Sequence, residues 1–190
     1  MKKQIKAEIK ESIKVKQLVS QKLTDKIETA AKLMIDALAD GNKILFMGNG
    51  GSAADAQHLA AELIGRYKKE RKSYAAIALS TDSSILTCLA NDYSFDSVFA
   101  RQIEGLAKYG DIVFGISTSG NSKNVLNAFK QAKKVGCKTI ALLGCDGGKI
   151  KKESDLAIVI PSKDTPRIQE SHITIGHILC NLIEQELSSR

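Results

Sequence analysis

The 190-residue sequence has no tryptophan, only two prolines and 5% aromatic residues, so aliphatic side chains have to form its core. Its four cysteines include no CxxC pair, which excludes a zinc ribbon and a dithiol redox motif. No apolar run approaches the roughly 18 residues that a membrane-spanning helix needs. The charged N-terminal residues lack the apolar stretch of a signal peptide, and we therefore expect a cytoplasmic protein with free thiols.

The chain is basic, with a formal net charge of +7, and many of its lysines fall within the first two dozen residues. Lysines in such a pattern are typical of the solvated face of an amphipathic helix, and they also attract anionic substrates. Interleaved aromatic residues and clustered arginines are missing there, which argues against a nucleic-acid partner.

Hydrophobic periodicity predicts a single α/β domain, with N-terminal helices over residues 1–40 and an α/β core over residues 41–190. The first stretch indicates two helices, and its stripe of Ile5, Ile9 and Ile13 is a candidate contact with another subunit. Continuous apolar runs predict buried parallel strands at residues 43–47, 75–79, 111–116, 138–143 and 156–160. Helical patterns fall at residues 53–64, 83–90, 96–107, 123–134 and 166–187.

Two polar turns follow predicted strands and precede predicted helices: Gly-Asn-Gly-Gly-Ser at residues 48–52 and Ser-Thr-Ser-Gly-Asn-Ser at residues 117–122. Glycine lets the backbone approach an anion, the helix N-terminus adds positive charge, and hydroxyl groups add donors. Ligands of doubly wound sheets bind at the carboxyl ends of the strands, where both turns lie. We therefore expect a small phosphorylated ligand. The glycine-rich loop at residues 144–148 is interpreted as a structural turn.

The spacing of Gly48, Gly50 and Ala53 also matches a dinucleotide fingerprint. The acidic residue that this fingerprint requires about 20 positions further on is missing, as is the lysine of a phosphate-binding P-loop. Nucleotide binding is therefore the weaker reading of the first turn.

His58 and Glu62 share one helix face, because they are four residues apart. Such a pair can hold a metal ion or act as an acid–base couple, and a plain surface hydrogen bond is the alternative. The other histidines, His172 and His177, fall in the largely apolar C-terminal helix, where a buried histidine is usually structural. Gln169 lies about 12 Å along that helix from His177. The two can share a site only if the helix starts after Gln169 or if two subunits contribute.

These segments together resemble the sugar isomerase (SIS) domain superfamily and, within it, the phosphoheptose isomerases. The matching stretches are residues 48–52, 55–58, 62–67, 90–92, 115–122, 146–148 and 167–170, together with His177. Some members carry an acidic residue immediately before the Arg-Ile-Gln motif, where this chain has Pro166, with Asp164 nearby.

The resemblance implies a flavodoxin-like, doubly wound fold, with a mainly parallel five-stranded sheet covered by helices on both faces. It also implies a homotetramer with active sites at subunit interfaces and one zinc ion per subunit, held by His58, Glu62, Gln169 and His177. The implied substrate-binding residues are Asn49, Gly50, Gly51, Ser52, Arg66, Asn91, Asp92, Ser117, Thr118, Ser119, Ser122 and Gln169.

The activity implied is conversion of sedoheptulose 7-phosphate to D-glycero-D-manno-heptose 7-phosphate, for the heptose of lipopolysaccharide cores or other surface glycans. Such an isomerisation needs a base beside C1 and C2 and a proton donor for the oxygens. Glu62 is the candidate base and His177 its acid–base partner.

Two other classes remain to be weighed. A non-catalytic relative that binds the bacterial replication initiator keeps the glycine turn but lacks the residues matching Glu62 and His177. A sugar-phosphate-sensing transcription regulator needs a DNA-reading domain, and the first 40 residues show no helix-turn-helix pattern.

Overall fold

The computed structural model describes residues 1–189. Its centre is one parallel sheet in the order β2-β1-β3-β4-β5, the flavodoxin-like order, which confirms the predicted fold class. The strands are β1 (Ile44–Met47), β2 (Ala76–Ala78), β3 (Ile112–Ser117), β4 (Lys138–Leu143) and β5 (Leu156–Val159). Each of them lies within one residue of the predicted bounds at either end. For the central strands β1, β3 and β4, this accuracy follows from burial on both faces, which makes them nearly unbroken apolar runs.

Seven helices surround the sheet within the described residues. They are α1 (Lys2–Ala39), α2 (Gly51–Ile64), α3 (Ser83–Asp92), α4 (Val98–Leu106), α5 (Lys123–Val135), α6 (Ile150–Glu153) and α7 (Thr165–Leu187). Among residues 1–189, none of the helices has both the length and the apolarity needed to cross a membrane.

Three helix predictions need correction. The expected pair over residues 2–40 is a single 38-residue helix, because no glycine or proline interrupts the stretch before Gly41. Gly41 then ends the helix with a φ of +75°, as expected for a C-terminal glycine. A short 3₁₀ turn, Phe95–Ser97, replaces the predicted start of α4, and α6 has no counterpart among the predicted helices.

The two faces of the sheet bury different side chains of the same strands. Ile44 and Phe46 of β1 pack in a cluster with α1, α2 and α7, whereas Leu45 and Met47 pack in a second cluster with α4, α5 and α6. The division follows from the alternation of side chains along a strand. α1 and α7 thus lie on the face that also carries α2.

Candidate active site

The first polar turn connects β1 to α2. Gly50 has a φ of +54°, a left-handed conformation that glycine adopts without strain, and α2 begins at the next residue. The N–H groups of Ser52 and Ala53 donate to the carbonyl oxygens of Asn49 and Gly50 at 3.0 Å. Gly51 is exposed, and Ser52 is buried. The turn is therefore a tight backbone loop at the N-terminus of a helix, as the sequence predicts.

The second polar turn connects β3 to α5. The hydroxyl oxygens of Ser117 and Ser122 lie 2.9 Å apart, and Gly120 between them has a φ of +68°. Ser119 is exposed, and its hydroxyl oxygen accepts the N–H of Asn121 at 3.2 Å. Because β1 and β3 are neighbouring parallel strands, both turns lie at the same end of the sheet, next to the carboxyl ends of its strands. The expected pair of turns at the carboxyl ends of the strands is confirmed.

The loop after β4 supports the second turn. The N–H of Ile150 donates to the carbonyl oxygen of Gly120 at 3.0 Å, and the N–H of Lys149 donates to Asn121 Oδ1 at 3.2 Å. A side chain at position 120 would collide with Gly147, since a Cβ there would lie 2.1 Å from its carbonyl oxygen. The loop at residues 144–148 is thus a structural support, as interpreted from the sequence.

His58, Glu62 and His177 form one cluster. One ligand atom from each lies within 4.8 Å of those of the other two. His58 Nε2 lies 2.8 Å from His177 Nε2 and 3.4 Å from Glu62 Oε1. The side chain of Glu62 is 21% exposed and that of His58 45%, so the cluster opens to solvent. His177 thus joins the His58–Glu62 pair from a second helix, so that three side chains converge.

The cluster forms because α2 and α7 run side by side in the same direction. Near their beginnings, a Cβ at Gly51 would lie 2.5 Å from the Gln169 amide nitrogen. Further along, Gly176 packs so closely on Leu59 that an added Cβ would lie 2.6 Å from the leucine side chain. Both pairs are 117–118 positions apart in sequence, as expected for parallel helices in constant register.

Within one chain, Gln169 lies apart from the cluster. α7 begins at Thr165 and is continuous, so Gln169 and His177 are about 12 Å apart along its axis. The condition that the helix start after Gln169 is therefore not met. A shared ligand set that includes Gln169 requires a second subunit.

Several predicted substrate residues are exposed and lie apart from these contacts. Asn91 and Asp92 end α3, where Asn91 Nδ2 donates to Asp92 Oδ1 at 2.9 Å, and this bond lowers the pKa of Asp92. Arg66 follows α2 and lies 3.9 Å from Glu70 in an exposed ion pair. Within residues 1–189, no hydrogen bond joins these three residues to either polar turn. Their placement at the site remains a prediction.

Glu184 is a buried carboxylate that the sequence reading missed. Its two oxygens accept the backbone N–H groups of Tyr67, Lys68 and Lys69 at 2.7–2.9 Å and pair with Arg71 Nε at 3.2 Å. Desolvation acts to raise the pKa of Glu184, but these donors outweigh it and lower the pKa below 4.5. A lone glutamate in an amphipathic helix gives no local signal of such a partner set.

The Glu184 network borders the His–Glu cluster. Arg71 Nη2 donates to the carbonyl oxygen of Glu62 at 2.8 Å, and the Tyr67 ring lies 5.8 Å from that of His177. Asp55, one turn before His58 on α2, is half-buried, and desolvation raises its pKa against the opposing effect of His58 and His177. Acidic, aromatic and cationic side chains therefore lie around the cluster.

The third histidine has a structural position. His172 is 1% exposed, and its Nε2–H donates to the carbonyl oxygen of Leu143 at 3.1 Å. Burial lowers its pKa from 6.5 to about 4, so the ring is neutral at pH 7. Its Nδ1 has no hydrogen-bond partner among the described residues. The expectation of a buried, structural histidine in this helix fits His172.

The donor set of the cluster is suitable for a metal ion. Two imidazole nitrogens and a carboxylate oxygen are one of the protein ligand sets of catalytic zinc sites. Without an ion, the 2.8 Å contact between the imidazole nitrogens is a hydrogen bond in which one ring donates its N–H to the other. His58, Glu62 and His177 could therefore hold one divalent ion.

The chain folds as a doubly wound α/β domain with two polar turns at the carboxyl ends of its strands, and the family model of the SIS domain matches residues 9–144. The chain belongs to the SIS domain family and, within it, to the phosphoheptose isomerases. It is 60% identical to the phosphoheptose isomerase of Nitratiruptor sp. over 181 residues, which covers 95% of this chain and 97% of the relative. The phosphoheptose isomerase of Citrifermentans bemidjiense is 56% identical over 97% of this chain and 96% of its own length.

Solved structures support the same family assignment. Phosphoheptose isomerase GmhA from Neisseria gonorrhoeae superposes with a TM-score of 0.92 at 45% identity, covering 97% of this chain and 98% of its own. The phosphoheptose isomerase from Francisella tularensis has a TM-score of 0.94 at 36% identity, with 96% and 97% coverage.

Proposed function

We propose that this chain is a ketose–aldose isomerase that converts sedoheptulose 7-phosphate to D-glycero-D-manno-heptose 7-phosphate through an enediol. The observation that carries the proposal is the convergence of Glu62 and His177 from parallel helices, one of which starts at the glycine turn. The names of the near full-length relatives support the same reaction. The product would supply heptose for a lipopolysaccharide core or another surface glycan.

The isomerisation moves one proton from C1 to C2 and one proton from O1 to O2. Glu62 would take the proton from C1 and return it to C2. His177 would give a proton to O2 and take the one from O1, which converts the carbonyl from C2 to C1. Both groups are needed because neither proton transfer is fast in water alone.

The phosphate would bind at the serine-lined turn of residues 117–122. Exposed Ser119 and the N-terminus of α5 offer donors to an anion there. Binding of this non-reacting end would position the carbonyl end of the sugar against Glu62 and His177.

We infer that His58, Glu62 and His177 hold a zinc ion, and that Gln169 of a neighbouring subunit completes its ligands. Such an ion would polarise the carbonyl and stabilise negative charge on the oxygens. Glu62 would then both contact the metal and accept the proton, for which a carboxylate has two oxygens.

We also propose that the chain forms one domain and assembles as a homotetramer with sites at subunit interfaces. Val15, Val19 and Leu23 of α1 share the apolar cluster of the sheet, which supports one domain. Ile5, Ile9 and Ile13 are 52–57% exposed, and a groove of about 480 Å³ runs between α1 and α7, which supports burial by another copy.

The four free cysteines support a reducing, cytoplasmic location.

The test is turnover of sedoheptulose 7-phosphate by the wild-type chain and by Glu62→Gln. We expect the wild type to form the aldose and the variant to lose at least about 100-fold in kcat, since it has no base. Binding of the substrate, measured by calorimetry, should persist. Unchanged turnover in Glu62→Gln would remove the proposed base, and an inactive wild type would remove the proposed reaction.

A further inference from the structure

The two polar turns are joined by a pair of side-chain amides. Asn124 Nδ2 donates to Asn49 Oδ1 at 2.8 Å, and Asn49 Nδ2 donates back to Asn124 Oδ1 at 3.0 Å. The two residues are 75 positions apart; Asn49 lies in the turn after β1, and Asn124 lies in the first turn of α5. Asn124 is 3% exposed, so its amide depends on protein partners.

A third hydrogen-bond donor fixes the orientation of these two amides. The two hydrogen bonds between the amides close a ring. They would form equally well if both side chains rotated by about 180°, because donors and acceptors would exchange places. The N–H of Val125, however, donates to Asn124 Oδ1 at 2.9 Å. This N–H belongs to the first turn of α5, where backbone donors lack a partner within the helix. It requires an oxygen at this position and so fixes the orientation of both amides.

The pair leaves Asn49 with unused hydrogen-bonding capacity. An amide carries two N–H donors and two acceptor lone pairs, and Asn124 occupies one of each. Asn49 is only partly buried, so its remaining donor and acceptor are open to a ligand in a fixed orientation. Sugar hydroxyl groups both donate and accept, which matches this arrangement.

We propose that Asn124 is a positioning residue, which holds the Asn49 amide in the one orientation that binds the hydroxyl groups of the sugar phosphate. This inference rests on the proposed function. Asn124 acts through Asn49 and does not touch the substrate. It also keeps the glycine turn and the serine-lined turn at a constant separation, so that both ends of one ligand are recognised together.

A double-mutant cycle tests whether Asn124 acts through Asn49. Asn124→Ala should lower kcat/KM about 10- to 100-fold, as expected for a misplaced binding group. Asn49→Ala should lower it at least as much, and Asn49→Ala with Asn124→Ala should be no worse than Asn49→Ala alone. Asn127→Ala is the matched control on α5, since Asn127 bonds instead to the Asp96 carbonyl; it should turn over like the wild type.

Losses that multiply in the double variant would overturn the inference, because Asn124 would then act on stability or on another group. All variants are assayed well below their unfolding temperatures. A wild-type chain without turnover would overturn the proposed function and this inference with it. An active wild type with multiplying losses would overturn the inference alone.

Asn124→Asp provides a second readout that a structural role would not produce. When ionised, the introduced carboxyl group would face Asn49 Oδ1 with no proton between two oxygens. When protonated, it would donate to that oxygen and restore the ring. The ratio of variant to wild-type kcat/KM should therefore rise as pH falls from about 8 to about 5, since burial raises the pKa of a carboxyl group. A ratio independent of pH would contradict the assigned ring.

Discussion

His58 and His177 are 119 residues apart in the chain, yet their Nε2 atoms lie 2.8 Å apart. The contact depends on α2 and α7 running parallel in constant register. Glu62 joins the pair because it lies one turn after His58. The register of two distant helices thus brings the three side chains together.

The cluster predicts zinc binding by the purified protein. We expect about one zinc per chain by elemental analysis, since two imidazoles and a carboxylate are suitable ligands. His58→Ala and His177→Ala should lose the ion on dialysis, whereas Gln57→Ala, an exposed neighbour on α2, should retain it. Lowering the pH should release the ion, because the imidazoles must be neutral to bind. Full retention by both histidine variants would exclude this cluster as the site.

Ser119→Ala tests the phosphate turn. A hydrogen bond to a charged group contributes about 1.5–3 kcal/mol, so we expect KM to rise about tenfold or more with little change in kcat. Steady-state kinetics measure both constants. Ser154→Ala is a suitable control, because the exposed Ser154 hydroxyl donates to the Lys151 carbonyl oxygen at the end of α6. A fall in kcat alone would place the phosphate elsewhere.

The buried contacts of Glu184, which lie beside the His–Glu cluster, can be tested by substitution. Glu184→Gln should lower the free energy of unfolding by about 3 kcal/mol, because it leaves Arg71 buried without its countercharge. Urea unfolding measures this loss, and faster amide exchange at residues 67–69 should accompany it. Glu104→Gln removes the partner of exposed Arg101 and should cost under about 1 kcal/mol. Equal losses in the two variants would show that burial of the Glu184 pair has no special effect.

The exposed isoleucine stripe predicts assembly through α1. Ile9→Lys with Ile13→Lys should shift the protein to smaller species in light scattering after gel filtration, because charges would enter an apolar contact. Gln4→Lys changes the charge on another side of the same helix and should leave the assembly intact. If Gln169 comes from a neighbour, the dissociated variant should also bind zinc less tightly. An unchanged mass in the double lysine variant would remove this stripe from the interface.

Local sequence pattern was sufficient for the sheet and for both polar turns. Buried parallel strands such as β3 are apolar along their whole length, and the glycine and serine turns have a local conformational cause. The same approach placed His58 and Glu62 on one face of a helix. It divided α1 in two because two apolar series occur in it, although nothing in the stretch terminates a helix.

Relations between distant elements were beyond the sequence pattern. The Asn49–Asn124 pair joins residues 75 positions apart, and Glu184 bonds to backbone groups over 110 positions away. Such partners depend on how helices are placed on the sheet, which no single segment encodes. The separation of Gln169 from His177 was the exception, because the rise of a continuous helix fixes it from local structure alone.

His172 predicts how stability depends on pH. The unfolded chain binds a proton at this ring below pH 6.5, whereas burial lowers the folded-state pKa to about 4. Since the unfolded state binds more protons in this window, the free energy of unfolding should fall as pH decreases, by about 2 kcal/mol between pH 7 and pH 5. His172→Gln should remove this part of the slope. Urea unfolding of both proteins with chelator present measures it without a contribution from zinc, and parallel slopes would show that His172 titrates normally in the fold.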